Sequence, residues 1–310
     1  NKKLERFVYR PELDGLRGIA IISVLLYHAQ IRFLGKDDWI SGGYIGVDIF
    51  FVLSGYLITN SILKELKDNN SFDFINFYQR RLRRILPMLL IVLIFSAFFA
   101  FKIFIINDLI EFARSGISSL YFGSNYFFHN ITTRYGADSS LLKPLLHTWS
   151  LSIELQFYFI YPLIFFASYK FHKKNVQIFI FLLLLLSLQF SDVLIIKNSS
   201  LNYFHTFSRL WEFAFGSLIA YNHISYKFVK ENFFTSLLPL LGLYLITYSL
   251  FFFDEKTRHP GFITLIPLLG TYLVITFSSS KDLIGKLLAS KTFVLIGKVS
   301  YSAYLWHYPI

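Results

Sequence analysis

The chain contains no cysteine, and only 16% of its 310 residues are charged. The absence of cysteine excludes a disulfide framework, a thiolate nucleophile and a Cys-ligated metal site. The histidines and carboxylates show no metal-ligand spacing, and we expect no metal cofactor. Low charge, 55% hydrophobic residues and a mean hydropathy of +0.51 exclude an ordinary soluble domain. We find no internal repeat, low-complexity segment or cleavable signal peptide.

The apolar residues form runs close to 20 residues long, which is the length that a transmembrane helix requires. The pattern predicts an all-α polytopic membrane protein with about nine to ten transmembrane helices. Segment 108–128 is long enough to cross but carries Asp108, Glu111 and Arg114. We interpret it as re-entrant or broken, which is tolerated where protein rather than lipid surrounds the backbone. The predicted spans are about 16–34, 44–63, 85–106, 147–168, 176–196, 207–222, 234–252, 262–278 and 293–310.

The formal net charge is +11, and the lysines and arginines lie mainly at the ends of the apolar runs. Cytosolic loops of membrane proteins carry an excess of these residues. The densest basic segment, 64–84, is therefore expected to be cytosolic, which places the N-terminus in the cytosol as well. The same rule favours membrane lipid and an anionic cytosolic ligand as partners, and it argues against nucleic acid.

Arg17 and His28 are the first candidate functional pair. Their spacing of eleven residues puts both side chains on one helix face, with about 16 Å of rise between them. If Arg17 lies at a membrane surface, His28 lies near the midplane, where an ionisable group is costly and indicates a functional site. A neutral imidazole is the best general base in a chain without thiols. A packing role for His28 and an interfacial role for Arg17 are the alternatives.

Four arginines lie within residues 80–84, at the start of the third predicted span. The positive end of a helix and the forked guanidinium donors both suit phosphate groups. A simple topology signal is the alternative. Arginine in place of lysine favours phosphate recognition, because only arginine binds phosphate through two parallel hydrogen bonds.

A polar stripe follows helical spacing along 147–161. Glu154 is its most costly member, because a carboxylate inside an apolar helix needs a partner or a polar cavity. The stripe either lines an aqueous or sugar-binding cavity or pairs with a cation of another span. Its members are His147, Ser150, Glu154, Tyr158 and Tyr161, with Trp149 beside them.

Several weaker candidates remain. Arg209 and Glu212 are spaced i, i+3 and are expected to neutralise each other. Asp48 could orient the histidine of the first span or pair with an arginine. Ser54 is expected to support close helix packing, since no activating triad is visible. Three residues near the end could line the same cavity or anchor the last span at the interface: Tyr301, Trp306 and His307.

Seven motifs occur in order along the chain: Arg10-Pro-Glu-Leu-Asp-Gly-Leu-Arg-Gly-Ile-Ala, Arg17-x10-His28, Gly46-Val-Asp-Ile-Phe-Phe-Val-Leu-Ser-Gly-Tyr, Arg80-Arg-Leu-Arg-Arg-Ile-Leu-Pro, Leu146-His-Thr-Trp-Ser-Leu-Ser-Ile-Glu, Arg209-Leu-Trp-Glu-Phe-Ala-Phe-Gly and Ile296-Gly-Lys-Val-Ser-Tyr-Ser-Ala-Tyr-Leu-Trp-His-Tyr-Pro-Ile. With these motifs the chain resembles the bacterial membrane acyltransferase family 3, the integral-membrane O-acyltransferases that modify cell-surface carbohydrate. Each motif alone is weak, and their common order makes the resemblance specific.

The resemblance implies a single integral-membrane acyltransferase domain over 1–310, in the bacterial cytoplasmic (inner) membrane. Family members take an acyl group, usually acetyl, from cytosolic acyl-coenzyme A (acetyl-CoA) and deliver it to a hydroxyl of an extracytoplasmic glycan, such as lipopolysaccharide. The expected site residues are His28 and Glu154 for catalysis, Arg10, Arg17, Arg81 and Arg84 for the coenzyme, and Asp48, His147, Trp149, Ser150 and Tyr158 for the substrate.

The motifs around His147 and Tyr304 look most like members with a C-terminal SGNH-hydrolase-like domain on the outer face. We expect that domain, and the end of the last span, to lie beyond this sequence. One departure is visible, because the family often has two consecutive acidic residues where this chain has Glu154 and Leu155. A paired-acid role is therefore in doubt. The alternative function is a non-catalytic carrier or flippase for acyl or glycan intermediates.

Overall fold

The computed structural model describes residues 9–30, 40–134, 139, 142–172, 175–225, 233–279 and 282–310. Within these ranges the chain forms thirteen α-helices and no β-strand, which confirms the predicted all-α class. In chain order the helices are α1 (Pro11–Ala29), α2 (Ile45–Asn69), α3 (Phe74–Ile103), α4 (Ile106–Leu120), α5 (Ser124–Thr132), α6 (Thr148–His172), α7 (Val176–Lys197), α8 (Ser199–Phe204), α9 (Thr206–Ser225), α10 (Phe233–Phe252), α11 (Leu265–Phe277), α12 (Leu283–Leu288) and α13 (Lys291–Trp306).

Five of the described helices are long and apolar enough to cross a membrane: α2, α3, α6, α7 and α10. Helix α11 is apolar but shorter. Side chains on the outer faces of α3, α7 and α10 are exposed although they are apolar, as for Ile94 (69%), Ile196 (72%) and Phe252 (71%). Exposed apolar surface of this extent belongs in lipid. The chain is therefore a helical membrane protein, while the number of nine to ten spans stays a prediction.

The segment 108–128 is broken into two helices. Helix α4 ends at Leu120 and α5 begins at Ser124. Between them Phe122 has a left-handed backbone (φ 56°), and the Gly123 N–H donates to the Ser118 carbonyl at 2.8 Å. This hydrogen bond closes the end of α4 in the way that helices commonly terminate. A re-entrant path through the membrane stays a prediction.

Helix α2 lies at the centre of the bundle, and its partner α9 touches it backbone to backbone. In an apolar stretch of 18 residues, 72% of the residues of α2 are buried in the protein, whereas the same measure is 28% for α7 and for α10. A Cβ atom at Gly216 of α9 would lie 1.9 Å from the carbonyl oxygen of Val52. One at Gly55 of α2 would lie 2.0 Å from the carbonyl oxygen of Phe213. Only glycine permits this approach, which is a common device for packing helices in membranes.

The first and last helices, α1 and α13, pack together by the same device. A Cβ atom at Gly297 would lie 1.7 Å from the carbonyl oxygen of Asp14, and one at Gly18 would lie 2.7 Å from that of Phe293. The contact places the N-terminal motif with Arg17 and His28 beside the C-terminal motif. Residues from opposite ends of the sequence can therefore line the same cavity.

We expect Gly216→Ala to destabilise the protein, because the added methyl group overlaps the α2 backbone and forces the helices apart. Overpacking of this kind costs about 1–3 kcal/mol or more. Gly116→Ala in α4 is the matched control, since its Cβ would meet only side-chain atoms at 3.8 Å and beyond. Thermal unfolding of both variants in detergent measures the difference. Equal melting temperatures would contradict the close α2–α9 contact.

Candidate active site

A cavity of about 100 Å³ lies among α1, α2, α3, α6 and α13, and we name it the arginine cavity. Arg17 comes from α1, and Arg81 and Arg84 come from the N-terminal half of α3. The structure thus brings together three of the four arginines that the sequence analysis assigned to the coenzyme. The other polar residues of the lining are Ser54, Ser150, Glu154, Tyr158, Ser300, Tyr301 and Tyr304.

The arginine cavity carries more positive than negative charge. Three guanidinium groups face it, and Glu154 is the one carboxylate in its lining. Arg17 Nη1 lies 3.6 Å from Asp14 Oδ1, and the Arg81 guanidinium packs over the Phe77 ring at 4.8 Å from the ring centre. These contacts orient the side chains but leave forked donors in the lining. A cavity with this charge attracts an anion.

Glu154 is held by hydroxyl groups. Its Oε1 accepts short hydrogen bonds from Ser54 Oγ and from Tyr158 Oη, and the Tyr158 hydroxyl also lies 3.0 Å from Ser54 Oγ. Ser54, which the sequence assigned to packing, therefore belongs to a polar group on the arginine side. Tyr161, the last member of the predicted stripe, instead bonds to Thr59 at 2.8 Å.

A second, larger cavity of about 670 Å³ lies at the other end of α1, and we name it the histidine cavity. His28 and His147 line it, together with Trp149. Six of the other fifteen lining residues are aromatic, and most of the rest are polar. Tyrosine rings present flat apolar faces with polar tips. The other aromatic lining residues are Tyr27, Tyr44, Tyr203, Phe204, Tyr304 and Tyr308.

His28 lies in the last turn of α1, because the helix ends at Ala29 rather than near residue 34 as predicted; residues 31–39 are outside the described part of the chain. Its Nδ1 is 2.9 Å from the carbonyl oxygen of Val24. Because a carbonyl only accepts, Nδ1 carries the proton and Nε2 of the neutral ring keeps its lone pair. This tautomer suits a general base.

Two further histidines surround His28. The His307 ring centre lies 5.0 Å from that of His28 and 5.4 Å from that of His147. His307 Nδ1 donates to the Tyr304 carbonyl oxygen at 2.5 Å. Among the described residues, Nε2 of His307 is buried without a hydrogen-bond partner, although His307 is not in the lining of either cavity. Buried polar atoms in this state need a ligand or water to satisfy them.

The two cavities adjoin, because Val47 of α2 and Tyr304 of α13 line both of them. The predicted polar stripe is divided between them. His147 and Trp149 face the histidine cavity, whereas Ser150, Glu154 and Tyr158 face the arginine cavity. Three arginines and a candidate base therefore line cavities that share a wall.

Comparison with known proteins assigns the chain to a family. A family model described as an acyltransferase domain matches residues 10–310. The chain belongs to acyltransferase family 3. O-acetyltransferase OatA of Staphylococcus aureus (strain NCTC 8325 / PS 47) is 33% identical over 329 residues, which cover 100% of this chain and 52% of OatA.

A second relative of this acyltransferase family 3 domain is the Putative O-acetyltransferase SAS0844 of Staphylococcus aureus (strain MSSA476). It is 32% identical over 321 residues, which cover 99% of this chain and 52% of the relative. The chain spans about half the length of these curated relatives. No solved structure matches it.

A buried charge cluster lies behind the histidine cavity of this acyltransferase family 3 domain. Arg209 Nη1 is 2.9 Å from Asp48 Oδ1 and 3.0 Å from Glu212 Oε1, and all three side chains are at most 1% exposed. The i, i+3 pairing of Arg209 and Glu212 is as predicted. Asp48 pairs with this arginine rather than with His28 and is not in the lining of either cavity, and its assignment to substrate binding stays a prediction.

His259 is a residue that sequence reasoning missed. It follows α10, its Nε2 lies 2.9 Å from Asp48 Oδ1, and it lines the histidine cavity. No periodicity or motif marks it, and 211 residues separate it from Asp48. Only the tertiary structure links the loop after α10 to α2.

Arg10 lies apart from the other predicted coenzyme-binding arginines. Its Nε donates to Glu12 Oε1 at 2.7 Å, and its Nη2 donates to the carbonyl oxygen of Ile275 at 2.7 Å. It does not line the arginine cavity. The bond to Ile275 ties the start of α1 to the end of α11, and coenzyme binding by Arg10 stays a prediction.

We expect Arg209→Leu to destabilise the protein by about 3–5 kcal/mol, because it leaves two buried carboxylates without their shared cation. Arg114→Leu on the exposed face of α4 is the control and should change stability by no more than about 0.5 kcal/mol. Thermal unfolding in detergent provides the comparison. If the two variants have the same melting temperature, the cluster at Arg209 contributes nothing to stability.

Proposed function

We propose that this domain transfers an acyl group, specifically acetyl, from cytosolic acyl-CoA to a hydroxyl of an extracytoplasmic cell-surface glycan. The observation that carries the proposal is the pair of adjoining cavities, one lined by arginines and one by histidines. A donor and an acceptor held in them would meet at the wall formed by Val47 and Tyr304. The relatives named O-acetyltransferase support the same class of reaction.

The arginine cavity is the donor side of this proposal. Acetyl-CoA carries phosphate groups, and Arg81 and Arg84 present forked donors at the cytosolic half of α3, with Arg17 facing them from α1. The pantetheine arm would extend from there toward the wall. Ser150, Tyr158 and the hydroxyl-bound Glu154 lie on this side, so we assign them to the donor rather than to the glycan.

His28 is the general base of the proposed reaction. Its Nε2 takes the proton of the acceptor hydroxyl as the hydroxyl oxygen attacks the thioester carbonyl carbon. The carbon–sulfur bond then breaks, and the proton passes to the sulfur of coenzyme A, which leaves as the thiol. An acyl-histidine intermediate on the same nitrogen is the competing sequence of steps.

The histidine cavity is the acceptor side. Its volume of about 670 Å³ and its aromatic wall suit a sugar ring, whose apolar face packs on aromatic side chains. His147 and Trp149 are the acceptor-binding residues of the proposal.

The proposal also fixes the placement of the domain. It lies in the bacterial inner membrane with its N-terminus and the basic segment 64–84 in the cytosol, in agreement with the positive-inside rule. A further extracytoplasmic domain follows it in the full-length protein, in keeping with the greater length of its relatives.

We expect His28→Ala to abolish O-acylation of the surface glycan while the protein level stays normal, because the hydroxyl loses its proton acceptor. Structural analysis of surface glycans from cells with the intact gene, without it, and complemented with His28→Ala measures the ester. His205→Ala is the control, since His205 lines neither cavity.

Loss of one ester in both the deletion and His28→Ala identifies the acceptor as well. Retained acylation in His28→Ala would contradict the role of this residue. An unchanged set of esters in the deletion strain would favour the carrier or flippase, which would move a glycan without turning over coenzyme A.

A further inference from the structure

Tyr304 occupies the boundary between the two cavities. Its side chain lines both of them, and the only other residue to do so in the described cavity linings is Val47. Tyr301, one turn earlier on α13, lines only the arginine cavity, and Tyr308 lines only the histidine cavity. Three tyrosines of one C-terminal motif thus mark the donor side, the boundary and the acceptor side.

Hydrogen bonds fix the Tyr304 side chain across this boundary. Its hydroxyl donates to the carbonyl oxygen of His147 at 2.9 Å and lies 2.6 Å from Ser150 Oγ. Ser150 Oγ lies 3.3 Å from the same carbonyl oxygen, so the two hydroxyl groups converge on it. The ring also packs edge-on against His147, with 5.6 Å between the ring centres, and at a tilt against His307, with 5.2 Å between the ring centres. The hydroxyl end of the ring is therefore anchored to the start of α6.

We propose that Tyr304 is the partition between the donor and acceptor cavities, and that its ring limits the length of the acyl chain that the domain accepts. The inference rests on the proposed function. A thioester that approaches from the arginine cavity brings its acyl carbons up to this ring before the acceptor hydroxyl can reach the carbonyl. Acetyl adds one methyl group at the wall, whereas butyryl adds two more methylene groups that the ring must displace.

The same partition keeps water from the thioester. The histidine cavity is several times larger than the arginine cavity and has many polar lining groups, so water fills it when no acceptor is bound. Without the ring, water adds to the thioester carbonyl and the carbon–sulfur bond breaks. The products are the free carboxylic acid and the coenzyme A thiol. Exclusion of water is a recurring way to prevent such side reactions.

The test uses membranes of the producing cell, which contain the native acceptor, with the full-length protein expressed in a deletion background. Radiolabelled acetyl-CoA and butyryl-CoA are supplied separately. Two quantities are measured. The first is the ratio of butyryl ester to acetyl ester formed, and the second is the share of coenzyme A that is released without formation of an ester. The signal from membranes of the deletion strain is subtracted from both.

Tyr304→Ala should raise the ratio of butyryl ester to acetyl ester by about tenfold or more, because a widened apolar pocket discriminates less between acyl chains. It should also raise the share of coenzyme A that is released without ester formation. Tyr304→Phe keeps the ring and should keep both quantities near the wild-type values, although it loses both hydrogen bonds. Tyr301→Ala is the matched control, and its ratio should equal that of the wild type whatever its rate.

Val47→Ala widens the same boundary from α2 and should shift the ratio in the same direction by a smaller factor. It decides the matter if Tyr304→Ala does not accumulate in the membrane. The inference would be overturned if an active Tyr304→Ala variant kept the wild-type ratio of butyryl to acetyl ester and the wild-type thioester hydrolysis. An unchanged ester ratio in Val47→Ala would overturn it as well. If wild-type membranes form no ester from acetyl-CoA, the proposed function fails instead.

Discussion

The contact between α1 and α13 is the constraint on which both cavities depend. Arg17 and His28 are carried by α1, and Tyr301 and Tyr304 are carried by α13. The two helices approach so closely that a methyl group at Gly297 would overlap the α1 backbone. This packing brings the two ends of the sequence together, and the wall between the cavities cannot form without it.

Electrostatics explain why the charged residues lie where they do. An ionisable side chain in the hydrocarbon region is costly unless it faces a cavity or a partner. Arg81 and Arg84 of α3 face a cavity, and Arg209 pairs with two carboxylates in a buried cluster that also holds the loop after α10 through His259. The apolar side chains of α3, α7 and α10 are left to face lipid. The same rule thus separates the groups available to a ligand from those that stabilise the bundle.

Much of this arrangement could be predicted from local spacing, and the rest could not. The 3.6-residue period correctly put Arg17 and His28 on one side of a helix, and their rise of about 16 Å explains why they line different cavities. The period could not show that the stripe on α6 divides at Tyr304, because that residue comes from another helix. Nor could it pair Asp48 with His259, since the two meet only through tertiary folding.

The proposed reaction depends on delivery of the acyl donor to the arginine cavity from the cytosolic face. The most direct measurement is the acetyl-CoA dependence of ester formation in sealed inside-out vesicles. It compares Arg81→Gln/Arg84→Gln with Arg83→Gln, an exposed residue of the same helix that lies outside the lining.

We predict that acetyl-CoA supplied to the exposed cytosolic face is used. The double variant should raise its KM by about tenfold or more, since each charge-assisted hydrogen bond contributes about 1.5–3 kcal/mol, whereas Arg83→Gln should not. Equal KM values for the two variants, or transfer only from acetyl-CoA enclosed in the vesicle lumen, would contradict the account.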